Sequence, residues 1–149
     1  MTFDEVRVRL EGPSRKHFGH GASEAEIDHA EQALGVRFPR SYRCFLCRFG
    51  WGGVGYLEIF GLGADAPPYL HVVNVTMRER TEMRPPLPRY LVPIMNDGAG
   101  NHHCLDTRTF SGDECPVAFW NHELGILQEP RKIAGSFSDW LAEQLTQLD

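Results

Sequence analysis

The sequence predicts a single α+β domain, with a central, mainly antiparallel sheet flanked by N-terminal and C-terminal helices. Three observations lead there. Two amphipathic helical segments follow one another between Ser23 and Gly50, short strands separated by turns run from Tyr90 to Asn121, and a capped apolar helix closes the chain after Ser136. A chain of 149 residues is long enough to bury a core without disulfides or metals, so the predicted domain spans 1–149 with its core over about 23–145.

The first helix starts at Ser23, because in Ser23-x-x-Glu26 each side chain can accept the free backbone N–H of the other residue. Ile27, Ala30 and Leu34 then share a face, and Gly35 supplies a left-handed stop. Pro39 suits the first turn of a second helix, whose buried stripe is Tyr42, Phe45, Leu46 and Phe49 at i, i+3, i+4, i+7, ended by Gly50. The glycine run Gly50 to Gly55 follows a helix, so its amides lack the helix N-terminal field of a phosphate loop, and the expectation is a flexible turn. Tyr56 to Phe60 reads as a strand and Gly61 to Pro68 as a loop. Over Leu70 to Met83 a β-branched start competes with the helical spacing of Val72, Val73, Thr76, Met77 and Arg80, and the charged tail from Arg78 to Arg84 decides for a helix. Pro85, Pro86 and Pro88 break the chain before strands at Tyr90–Met95, His102–Asp106 and Val117–Asn121, parted by turns at 96–100 and 111–113. Ser136-x-x-Asp139 then caps a last helix with Phe137, Trp140, Leu141, Leu145 and Leu148 on one face.

A net charge of -5 argues against a nucleic-acid binder, which needs Lys and Arg to displace phosphate counterions. No run reaches the roughly 18 apolar residues needed to cross a bilayer, and MTFDEVRVRLEG lacks the apolar centre of a signal peptide. A cytoplasmic protein is expected, in which Cys44, Cys47, Cys104 and Cys115 stay reduced. Cys44-x-x-Cys47 has the spacing of half a zinc site, yet it falls inside a helix, opposite the Phe45/Leu46/Phe49 stripe, and no second pair completes it. Asp97, His102, His103, Asp106 and His122 are metal-type side chains, but adjacent strand residues point to opposite faces, so at most one of His102 and His103 can share a site with Asp106. No catalytic motif occurs, and neither an enzyme, a metal nor a cofactor is expected. Charge is more telling. Arg37, Arg40, Arg43 and Arg48 cluster early and Arg78, Arg80, Arg84 and Arg89 in the middle, while Asp97, Asp106, Asp113, Glu114 and Glu123 occupy the later hairpins. An acidic face of this kind attracts a basic protein, the alternative being a plain solvated surface. With the loop-proximal aromatics Trp51, Tyr56 and Trp120, these five acids are the candidate partner-binding residues.

One more pattern spans the chain. Glu24-x-x-Ile27 with Ala30-Glu31-x-x-Leu34-Gly35, Phe38-Pro39-x-x-Tyr42-Arg43-x-Phe45-Leu46 and Gly52-Gly53 together resemble the SUKH superfamily of fungal Smi/Knr cell-wall regulators and bacterial immunity proteins. Val92-Pro93-Ile94, Asn96-Asp97-Gly98-x-Gly100, Cys104-Leu105-Asp106, Val117-x-x-Trp120-x-His122-Glu123 and Phe137-x-x-Trp140-Leu141 continue the likeness. The resemblance implies a helix-flanked sheet without catalytic residues. It further implies a protein that binds and blocks a polymorphic or contact-dependent toxin, such as a nuclease, made by the same cell. A regulatory or scaffolding domain is the alternative, and a metal-dependent enzyme using Asp97, His102, Asp106 or His122 the more distant one.

Overall fold

Thr2, not Ser23, opens the first helix of the computed structural model, which describes residues 1–12 and 16–148. Helix α1 (Phe3–Glu11) carries a reciprocal capping box: Glu5 N donates to Thr2 Oγ1 at 3.4 Å and Thr2 N donates to Glu5 Oε2 at 2.9 Å. It buries Phe3, Val6 and Leu10. Helices α2 (Glu24–Leu34) and α3 (Arg40–Arg48) follow, with the Ser23–Glu26 box formed in both directions and Gly35 at φ 69°. Pro39 is the N-cap of α3, outside its first turn, and gives no side-chain cap. The free amides there are met from far along the chain. Arg40 N donates to the Asp113 carbonyl at 2.8 Å, and Ser41 N and Oγ donate to the Glu114 carboxylate at 2.9 and 2.8 Å.

The glycine run contains a strand where a flexible turn is expected. β2 (Gly52–Val54) is the middle of a three-stranded antiparallel sheet, between β1 (Lys16–Phe18) and β3 (Leu57–Ile59). Glycine is required because the neighbouring backbones approach closely: a Cβ on Gly53 would overlap the Leu57 carbonyl oxygen. A 3-10 turn at Pro68–Leu70 leads into α4 (Val72–Thr81), the helix that spacing and charge predict over 70–83.

The second sheet is antiparallel, with β4 (Leu91–Asn96), β5 (His102–Asp106), β6 (Val117–Trp120) and β7 (Arg131–Ala134) in consecutive order. The first three match the expected strands. β7 begins with the exposed Arg131 and Lys132 and so reads as loop in the sequence, the charged disguise of an edge strand. The mainly antiparallel sheet is therefore divided in two, and Phe60 N, donating to the Ile94 carbonyl at 2.9 Å, ties the end of β3 to β4. Helix α5 (Phe137–Gln147), N-capped by Ser136, packs against α1, α3 and β7. Tyr42 lies at the centre, edge-on to Phe38 and Phe137 at 5.2 and 5.1 Å, and donates from its hydroxyl to the Phe60 carbonyl at 2.8 Å. The result is the α+β single domain that the sequence predicts, with five helices among the described residues.

Candidate functional site

The structure disperses the eight predicted partner-binding residues over several places. Asp97 and Glu123 lie at the same end of the second sheet. Asp97 shapes the β4–β5 hairpin tip by accepting from Ala99 N at 2.8 Å and Asn101 N at 3.1 Å, and Asn101 Oδ1 in turn accepts from His122 N and Nδ1 at 3.1 and 2.8 Å. Both acids are exposed. Asp113 and Glu114 lie instead against α3, and the Glu114 carboxylate is occupied as its cap.

Asp106 and Trp120 are not surface residues. Asp106 is 7 % exposed and held in a bidentate pair with Arg108, at 3.1 Å to Nε and 2.9 Å to Nη2, while Arg108 also reaches Glu129 at 2.7 Å and stacks over Tyr90. Trp120 is 2 % exposed and packs with Leu87, Leu91 and Cys104. Trp51 and Tyr56 belong to the other sheet. The Trp51 indole donates to Asp65 at 3.0 Å and is half-buried, whereas Tyr56 stands free at the β2–β3 turn.

Cys44 and Cys47 fall outside the apolar stripe of α3, as helical geometry requires, along a wide groove between α1, α2 and α3. Burial pushes both thiols up, which disfavours the thiolate that metal binding or redox chemistry needs. The arginines of this groove are largely matched: Arg43 meets Glu24, Asp28 and Glu31, Arg48 meets Glu11, and Arg7 meets Asp4 and Glu11. His102 and His103 do point to opposite faces of β5. His102 Nε2 lies 3.0 Å from Glu79 Oε1 on α4, and His103 Nδ1 accepts the Trp140 indole N–H on α5 at 2.8 Å.

That last bond needs an unprotonated Nδ1. Burial lowers the His103 pKa below the ordinary 6.5, helped by Arg131 and His102 and opposed by Asp97. A histidine whose folded value is depressed contributes full stability above the unfolded value and loses it as pH falls. The urea midpoint should therefore drop between about pH 7 and about pH 5.5. His103→Gln should flatten that slope in part, His71, also lowered by burial, accounting for what remains. An equal slope in wild type and variant would contradict this.

Sequence reasoning missed the β6–β7 loop, residues 121–130. Gln128 staples it: Asn121 N donates to Gln128 Oε1 at 3.1 Å, and Gln128 Nε2 donates to the Asn121 and Gly125 carbonyls at 2.7 and 2.9 Å. Glu123 N closes a tight turn onto Asn121 Oδ1 at 3.0 Å. This braced loop holds Leu124, Ile126 and Leu127 out in solvent, the last at 96 % exposure. Three aliphatic side chains on one rigid loop are what a protein interface presents and a solvated surface avoids. The readable signal was Leu124-Gly-Ile-Leu127, an apolar run in a segment with no strand or helix period.

Among the described residues no helix is long and apolar enough to cross a membrane, and no group of three His, Cys, Asp or Glu side chains is arranged to hold a metal. A family model described as "SUKH_5: SMI1-KNR4 cell-wall" matches residues 8–146. That span runs from within α1 to the last turn of α5, through both sheets and the Tyr42 centre, and the chain belongs to the SUKH family.

Proposed function

We propose that this protein is a cytoplasmic immunity protein: it neutralises a protein toxin made by its own cell, by binding that toxin and without catalysis. Membership of a family generally known for the immunity proteins of polymorphic toxin systems carries the reading. The braced aliphatic loop beside Asp97 and Glu123 supports it, because a preorganised apolar knob with an acidic flank suits a basic partner. Coexpression with the toxin-like product of the neighbouring gene should restore growth and yield a complex on gel filtration. The absence of both rescue and complex would overturn the proposal. Glu123→Arg should weaken the complex several-fold, and Asp97 is kept because its carboxylate holds the hairpin tip. The buried Asp106 is no substitute in that test, since reversing its charge strands Arg108 and attacks the fold.

The cell-wall description of the family favours a second reading, a regulatory or scaffolding domain that holds a partner without inhibiting it. A complex that forms while growth stays arrested would select it.

A further inference from the structure

Arg7, Arg40, Arg43, Arg48 and Arg108 each face a carboxylate, whereas Arg9, Arg37, Arg78, Arg80, Arg84, Arg89 and Arg131 enter none of the ion pairs among the described residues. Arg80 and Arg89 adjoin each other. Arg80 Nη2 donates to the Arg89 carbonyl at 2.7 Å and Nη1 to the Leu34 carbonyl at 2.9 Å, while its Nε is buried with no partner. Burial, and then the neighbouring Arg89 charge, both lower the Arg80 pKa. Two adjoining arginines that join no ion pair among the described residues leave positive charge uncompensated at this place. Glu79 of the same helix does not offset it, being turned to His102 at 3.0 Å.

Both guanidinium residues border a groove of about 430 Å³ between α4, the Pro86–Tyr90 segment and the β6–β7 loop. Its apolar surface comes from Met77, Pro86, Tyr90 and Ile126, and Met77 and Ile126 are exposed. The volume accommodates a few side chains, and apolar wall and cations lie within one depression. A bare inorganic anion would use only half of it.

We propose that this groove docks an acidic segment of a partner protein: an aliphatic or aromatic side chain sits against Met77 and Ile126, and an adjacent Asp or Glu bridges Arg80 and Arg89. Charge-assisted bonds from two guanidinium groups to one carboxylate are short and directional, so the site selects the acid as well as the apolar anchor. The inference deepens the partner-binding reading and rests on it. The β6–β7 loop then divides the partner surface, with Asp97 and Glu123 on one side and this arginine pair on the other.

The test uses the isolated protein, so that it does not depend on which toxin is bound. The peptide acetyl-Leu-Asp-Phe-Glu-amide, its Asn/Gln counterpart and sodium phosphate are titrated separately into 15N-labelled protein. The acidic peptide should shift the amides of Met77, Arg80, Tyr90 and Ile126. The Asn/Gln peptide and Arg89→Glu should each cost about tenfold in affinity. Arg89 and Ile126 are exposed, so Arg89→Glu and Ile126→Asp should keep the wild-type melting temperature. No shifts, equal binding of the two peptides, or equal shifts from phosphate would overturn the groove assignment. Failure of growth rescue with a positive titration would instead count against the toxin reading alone.

Discussion

Trp120→Ala will lower the free energy of unfolding by about 3–5 kcal/mol, the range for removing a large aromatic from a packed interior. Trp120 looks like an interface anchor in the sequence, standing at a strand end just before a loop. In the fold it pairs across from His102 on β5 and fills the small cluster of Leu87, Leu91 and Cys104, at 2 % exposure. The two roles separate cleanly in experiment. An anchor would cost affinity and leave the urea midpoint alone, whereas a buried ring costs stability first, and Trp120→Phe should recover part of it. A loss below about 1 kcal/mol would mean that the ring is not held as described.

Tyr42 carries the second large effect. Tyr42→Ala should cost about 3–5 kcal/mol, through the cavity left between Phe38, Phe45 and Phe137. Tyr42→Phe keeps the ring and isolates the hydroxyl; with the Phe60 carbonyl stripped of its donor, about 1–2 kcal/mol should be lost. Burial pushes the Tyr42 pKa up from the ordinary 10. The unfolded chain then gives up its phenolic proton first, so this contribution is complete below about pH 10 and is lost as pH rises beyond it. Tyr42→Phe should flatten the alkaline limb of the stability profile. A limb as steep as that of wild type would assign the loss to other groups.

The helices were legible because caps and stripes are local. Ser23, Gly35 and Ser136 each announce a helix end within four residues of the feature they govern. The Thr2–Glu5 box is equally local. β1 and β7 are shorter and more polar, and pairing decides them: Lys16–Phe18 becomes a strand only against Gly52–Val54, and Arg131–Ala134 only against β6. The surface was legible least. Asp106 and Trp120 lie on a sheet covered from both sides, by α5 at His103 and by α4 at His102, so the polar-out alternation that normally flags exposure is missing. Glu114 shows the same limit, for nothing local says that its carboxylate caps a helix at Ser41, 73 residues earlier.

That cap also orders events during synthesis. A chain leaving the ribosome N-terminus first presents α3 with open amides at Arg40 and Ser41, and their acceptors, Asp113 and Glu114, follow only much later. Phe137, which packs on Tyr42, follows later still. The front half therefore cannot close its centre alone, and the domain becomes a closed unit only once residues 113–137 have joined it.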